Sequence, residues 1–211
     1  LMEGDVLLSL DGFPIASDGT IEFVNNDRID FRYLMSKYQV GDEVELVLLR
    51  GGEMLTRRAR LQSEKRLAPF PQYDVKPSYF IFSGLLFVPL TCDYIYTWGE
   101  DDRPVDLFYN YVYGKLEEGR SQVVLISKVM AHEVNQGYHD ISNSIIRRVN
   151  GKSIGSMADL SSAFAKPEGA FHIVEFEDGY KIFLVASAAE KAHGEILKKY
   201  NIPKDRSEDL N

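Results

Sequence analysis

Four histidines and one cysteine are the residues of this 211-residue chain best suited to chemistry near neutral pH. His132-Glu133 and His139-Asp140 place two imidazoles and two carboxylates in one short stretch. A zincin-type metal site sets its histidines four apart on a helix, so that both rings leave the same face. Here they are seven apart, around the turn-forming Asn135-Gln136-Gly137, and the stretch reads as a polar loop ahead of a strand at Ile145. Cys92 is the only cysteine, which excludes an intrachain disulfide. Lying in an aromatic-rich segment, it reads as a small packed residue rather than as a thiol nucleophile. No catalytic residue, no metal and no cofactor is assigned.

The aromatics Tyr94, Tyr96, Trp98, Phe108, Tyr109, Tyr111 and Tyr113 could stack on nucleobases. A formal charge of −8 and the adjacent Glu100, Asp101 and Asp102 argue against phosphate contacts, so no nucleic-acid partner is expected. The aromatics read instead as the core of an insertion. One basic cluster, Arg57, Arg58, Arg60, Lys65 and Arg66, reads as charge that guards an edge strand, with docking to an acidic neighbour as a second role. No apolar run approaches the roughly 20 residues of a membrane span, because residues 79–90 are broken by Ser83, Gly84 and Pro89. A hydrophobic content of 45% suffices for packed cores.

What must position any site is a repeat. Residues 6–15 run Val-Leu-Leu-Ser-Leu-Asp-Gly-Phe-Pro-Ile, and residues 145–154 run Ile-Ile-Arg-Arg-Val-Asn-Gly-Lys-Ser-Ile. Each is a β-rich run, an Asp-Gly or Asn-Gly turn, two residues and an isoleucine. A helix over 29–37, strands over 44–49 and 54–61 and a turn at Arg50-Gly51-Gly52 follow the first copy. A helix from Ser156 to about Lys166, strands over 171–176 and 181–185 and a turn at Asp178-Gly179 follow the second. Ahead of the second copy stand strands at 79–82 and 85–90, an insertion at 91–120 whose helix stops at Gly119, and a strand at 122–129. A capping box at Ser187-Ala188-Ala189-Glu190 opens a last helix, and Pro203 with the polar residues 204–211 ends order. The expected domains are 1–63, a linker at 64–78 holding three prolines, 79–187, and a tail at 188–211. The chain enters structure at once at Leu1 and reads as truncated upstream.

The stretch Leu1 to Gly12, Leu-Met-Glu-Gly-Asp-Val-Leu-Leu-Ser-Leu-Asp-Gly, resembles the Gly-Asp-x-hydrophobic-Leu…Asn-Gly stretch of the PDZ domains of HtrA/Deg-family serine proteases. Residues 79–91, Tyr-Phe-Ile-Phe-Ser-Gly-Leu-Leu-Phe-Val-Pro-Leu-Thr, are similar to the opening of the last PDZ domain in the plant Deg and related bacterial subgroup, and residues 196–203 to its closing tail. The resemblance implies an α+β fold of two PDZ-like modules, each a small, partly open β-sandwich or barrel with helices, the first incomplete at its N-terminus. It also implies a trypsin-like domain outside these residues; no Gly-Asn-Ser-Gly-Gly nucleophile sequence is present, and no serine is assigned to a nucleophile elbow. The implied function is non-catalytic: binding of peptide or unfolded-protein C-termini, and contact with the protease domain and neighbouring subunits in a homo-oligomer. A stand-alone tandem PDZ scaffold is the alternative.

A PDZ module adds an extended peptide to a sheet edge and holds its carboxylate on loop amides. The expected loop and strand are Ser83, Gly84, Leu85, Leu86 and Phe87, and the expected helix wall carries Met157, Leu160, Ser161 and Phe164. Leu86 stands where the usual Gly-hydrophobic-Gly-hydrophobic loop has its second glycine, which restricts how the amides can be aimed. The insertion follows this strand directly and could cover its edge.

Overall fold

The computed structural model describes residues 1–25, 27–63 and 66–211. The chain divides into two compact units, Leu1–Glu64 and Lys65–Asn211. The described residues begin at residue 66 in the second, so Lys65 of the basic cluster and the first two positions of the expected linker lie outside them.

In the first unit β1 (Val6–Leu10) returns into β2 (Phe13–Pro14) through Asp11 and Gly12, with φ of 44° and 79°. Two successive positive φ values make the tight turn whose twist matches paired strands. The strands β3 (Thr20–Glu22) and β4 (Arg28–Asp30) form a separate hairpin, and β5 (Glu43–Arg50) and β6 (Glu53–Arg60) a long one. The larger sheet runs β2-β1-β5-β6. Its apolar face closes on Leu10, Ile21, Leu34, Val44 and Leu46.

The helix expected over 29–37 is a 3₁₀ turn at Phe31–Lys37, and Ile29 belongs to β4, paired with Ile21. Asp30 decides this: its backbone is extended and its carboxylate takes the Arg32 amide, so the chain turns after it. Only Leu34 of the turn is buried, so a longer helix would bury nothing more. Along the outer strand β6, Arg57, Arg58 and Arg60 are exposed.

The second unit is a seven-stranded antiparallel sheet that stays open. Its strands are β7 (Phe80–Phe82), β8 (Leu85–Pro89), β9 (Val124–Val129), β10 (Ser144–Val149), β11 (Lys152–Ser153), β12 (Phe171–Phe176) and β13 (Lys181–Val185). They are ordered β13-β12-β10-β9-β8-β7, with β11 beside β10. The helices are α1 (Cys92–Ile95), α2 (Val105–Tyr113), α3 (Met157–Phe164) and α4 (Ala186–Lys199). Alternation along β9 separates two cores: Val124 and Ile126 pack with Met157, Leu160 and Ala189, whereas Val123 and Leu125 pack with Ile95 and Leu107. The insertion therefore lines the face of the sheet opposite α3. Leu67 and Ala68, read as linker, are buried in that second core.

The two copies of the repeat match bond for bond. Asn150 and Gly151 have φ of 48° and 76°. Ser9 pairs with Pro14 as Arg148 pairs with Ser153, and a bulge interrupts the next pairing in both. Asp11 exchanges bonds with the backbone of Glu45, and Asn150 does the same with Ile173.

Three local expectations differ. The helix α2 stops at Gly114, whose amide bonds to Asn110, and Gly119 instead sits in the turn joining Glu117 and Arg120. The helix α4 has no side-chain cap, because β13 runs straight into it and the Ala186 amide bonds to Ala170. Order also continues past Pro203, with a 3₁₀ turn at Glu208–Leu210.

Candidate functional site

Of the nine residues expected to form a peptide groove, Leu85, Phe87, Met157, Leu160 and Phe164 share one buried core between β8 and α3, whereas Ser83 and Gly84 form the turn ahead of β8 and Leu86 and Ser161 stand outside that core. Met157, Leu160 and Phe164 are buried on the inner face of α3, and Leu85 and Phe87 on β8. The cleft between β8 and α3 is filled. Strand β7 lies in it, antiparallel to β8, with Phe80 opposite Phe87, Ile81 opposite Leu86 and Phe82 opposite Leu85. Phe164 of α3 packs its ring 4.5 Å from Phe82, 5.5 Å from Phe87 and 5.7 Å from Phe80. Since β9 holds the other edge of β8, both edges of that strand are paired.

The loop expected to offer free amides is a two-residue hairpin turn, Ser83 and Gly84, with φ of 47° and 88°. Its polar groups face inward. The Ser83 amide donates to His193 Nδ1 at 3.2 Å, and its hydroxyl to the Ala189 carbonyl. The Ser83 carbonyl accepts from Asn135 Nδ2 at 2.9 Å, and the Gly84 carbonyl from the Met130 amide at 2.7 Å. A Cβ at position 84 would run into Asn135 and Met130, so nothing larger than glycine closes this turn. Ser-Gly marks a turn in the sequence, but the distant partners that close it into a two-residue hairpin are not legible there.

The outer edge of β7 is also taken. The Ile81 amide donates to the Asp205 carbonyl at 2.7 Å, and the Ser207 amide to the Tyr79 carbonyl at 3.0 Å. Arg206 thus stands opposite Phe80 as in an antiparallel strand. Its guanidinium lies 5.0 Å from the Phe80 ring centre and donates to Ser161 Oγ at 3.1 Å. The Arg206 guanidinium, foremost, holds the Asp205 carboxyl below its usual range.

The residues 68–209 match the model of the PDZ domain. The chain belongs to the PDZ domain family. Along its full length it is similar to Do-like proteases of Arabidopsis thaliana. It is 35% identical over 210 residues to protease Do-like 2, chloroplastic, and 32% identical over 211 residues to putative protease Do-like 3, mitochondrial. It is 24% identical over 161 residues to the serine protease DegP homolog of Plasmodium falciparum, covering 76% of this chain and 18% of that one. The chain spans 35% and 36% of the lengths of the two plant relatives. These are Deg/HtrA-type proteases, and the residues described here are a PDZ region matching theirs.

Within this PDZ module His172 was missed by the sequence reading, although an apolar strand carrying one histidine is a recognisable signal. It is 1% exposed, with its ring 4.6 Å from Phe82 and 5.7 Å from Phe164. Nδ1 lies 3.0 Å from Asn150 Nδ2, and Nε2 has no partner among the described residues. Burial pushes its pKa below the usual 6.5.

The remaining candidates have structural settings. His132 caps the turn Glu133–Asn135, and His139 Nε2 lies 3.0 Å from Asn135 Oδ1. Among the described residues no group of three or more His, Cys, Asp or Glu converges. Cys92 is buried and accepts from the Tyr111 hydroxyl at 3.1 Å, a bond that raises the Tyr111 pKa. Gly151-Lys152-Ser153-Ile154-Gly155 does spell the Gly-x-Ser-x-Gly pattern. An elbow needs a strand-to-helix turn with a base nearby, whereas Ser153 lies on a hairpin return opposite Arg148 and bonds to no histidine among the described residues. The insertion aromatics are core only in part: Tyr94 and Tyr111 pack on it, but Tyr96, Tyr109 and Tyr113 are exposed, since α2 buries a narrow stripe around Leu107. Arg66 sits in the second unit, stacked 4.5 Å from the Phe70 ring centre.

Proposed function

We propose that this chain is the non-catalytic PDZ region of an HtrA/Deg-type serine endopeptidase, and that its second module regulates or assembles the protease oligomer rather than capturing free C-termini. One observation carries the reading: strand β7 lies along β8, where a bound peptide would be added, and the Ser83 amide of the expected carboxylate loop is spent on His193. A groove filled by a strand joined through a two-residue turn cannot be emptied by a free ligand at ordinary concentration, because the tethered strand competes at a far higher effective concentration. The partners on this reading are the protease domain and neighbouring subunits, and the first unit, built on the same turn, contributes a second PDZ surface.

The test is a titration of the 211-residue chain with a fluorescent peptide bearing an apolar C-terminus, free or amidated, alongside sedimentation velocity. We expect no saturable binding that depends on the free carboxylate, and concentration-dependent self-association. Saturable binding abolished by amidation, by a chain that stays monomeric, would return the module to the role of C-terminus reader.

A further inference from the structure

Filling the β8 groove with β7 moves the accessible edge outward by one strand. That new edge is taken by a segment with the character of a docked peptide. Residues 205–207 follow α4 by a short link in which Asn201, Pro203 and Lys204 are exposed, and only Ser207 of the segment is buried. What holds residues 205–207 is polar, while Leu210 beyond them packs on the apolar core. Two backbone bonds, to Ile81 and from Ser207 to Tyr79, have the i, i+2 spacing of strand addition. Side chains then read its composition. Asp205 reaches His193 at 3.6 Å, Arg206 lies over Phe80 and bonds Ser161, and Ser207 Oγ receives the Tyr79 amide at 3.0 Å. Asp209 accepts from the Ser78 hydroxyl at 2.8 Å.

We infer that the outer edge of β7, with Ser161 of α3 and His193 of α4, is a binding site for an internal acidic-arginine-serine segment, and that residues 205–207 are its built-in occupant. The inference rests on the proposed reading of the β8 groove as self-filled, since only then is β7 the edge. Arginine is the specifying residue: its guanidinium lies over Phe80 while donating to Ser161 and to its neighbour Asp205, a set of contacts that lysine's point charge does not reproduce. A tail on a short tether acts at roughly millimolar effective concentration. A segment of the same composition from a partner protein therefore enters when it is itself tethered by assembly, or when the tail is weakened. The site reads no terminal carboxylate, because Arg206 and Ser207 occupy it as mid-chain residues.

The experiment uses the full chain carrying Arg206→Ala and Ser207→Ala, which loosens the occupant without shortening the chain. The probes are a fluorescent peptide with the sequence of residues 203–211 and its counterpart with alanine in place of arginine. We expect the native probe to bind the double variant at least tenfold more tightly than it binds the wild-type chain, and at least tenfold more tightly than the alanine probe binds. Amidating the probe should change nothing. Equal binding of both probes, or no binding to a variant that keeps the wild-type circular dichroism spectrum, would overturn the inference. Should the double variant unfold, Ser161→Ala in the otherwise native chain decides. Hydrogen exchange at the Ile81 and Ser207 amides should then accelerate several-fold, with β8 and β9 amides unchanged, and unaltered exchange counts against the site. The two readings fail differently. Amidation-sensitive binding that ignores arginine defeats the proposed function, whereas arginine-indifferent binding by a self-associating chain defeats this inference alone.

Discussion

Asn150 ties three pieces of the second unit together. Its Nδ2 donates to the Ala163 and Lys166 carbonyls, both at 3.0 Å, at the end of α3, and its Oδ1 accepts the Ile173 amide at 2.8 Å. The same Nδ2 faces His172 Nδ1, which serves as an acceptor only while the ring is neutral. Acid therefore acts here through one histidine. Its folded pKa is depressed, so the unfolded chain binds the proton first. The stabilisation is fully present above the usual 6.5 and drains as pH falls through the lower folded value. Glu190 partly counters the shift, and the Asn150 amide and two phenylalanine rings supply the rest of the surroundings. Replacing His172→Gln keeps an acceptor and removes the titration. Between about pH 7 and about pH 5 the urea midpoint of the wild-type second unit should fall further than that of the variant. Parallel declines would show that the ring does not titrate with folding.

Among the elements, α3 meets β7 through the ring of Phe164. Phe164 touches Phe80, Phe82 and Phe87 and is 5% exposed, so Phe164→Ala removes the contact that seats β7 in the cleft. A loss of about 4 kcal/mol of unfolding free energy is expected, in the range for truncating a buried aromatic. Exchange at β7 amides should rise more than at β12 or β13, and a uniform rise would mean that β7 is not seated by this ring. This junction also marks where sequence stopped being legible. The hairpin of β12 and β13 and the helix α3 stood out because alternation, a capping serine and Asp-Gly turns agree about them. The repeat stood out because Asp11 and Asn150 each need positive φ and a backbone partner. The cleft did not, because Phe80, Ile81 and Phe82 are three residues whose pattern fits a wall or an occupant equally well. Which one they become depends on Ser83 and Gly84 closing a two-residue turn, a matter of bond partners contributed by Asn135, Met130 and His193 far along the chain. The tail was read as the end of order for a related reason: polar residues with Pro203 ahead look unstructured until Tyr79 and Ser161 are placed beside them.

At the scale of the whole molecule, the two units repeat one corner but differ greatly in what they bury around it. Among the described residues the first buries six apolar side chains, five of them in one cluster, and its outer strand β6 is mostly exposed. The second buries two cores, one on each face of its sheet. Small domains bury a smaller share of their surface and are correspondingly marginal, so the first unit should unfold at lower denaturant than the second. The chain supplies its own selective reporter: the single tryptophan, Trp98, lies in the second unit, 5.1 Å from Tyr94. In a urea titration, far-ultraviolet circular dichroism sees both units, whereas tryptophan fluorescence follows only the second. The dichroism curve should therefore begin its transition first, and a chain trimmed to residues 66–211 should keep the fluorescence midpoint of the full chain. Superimposable curves would instead make the 211 residues one cooperative body, and the resemblance between the corners at Asp11 and Asn150 would then describe shared local geometry without separate folding units.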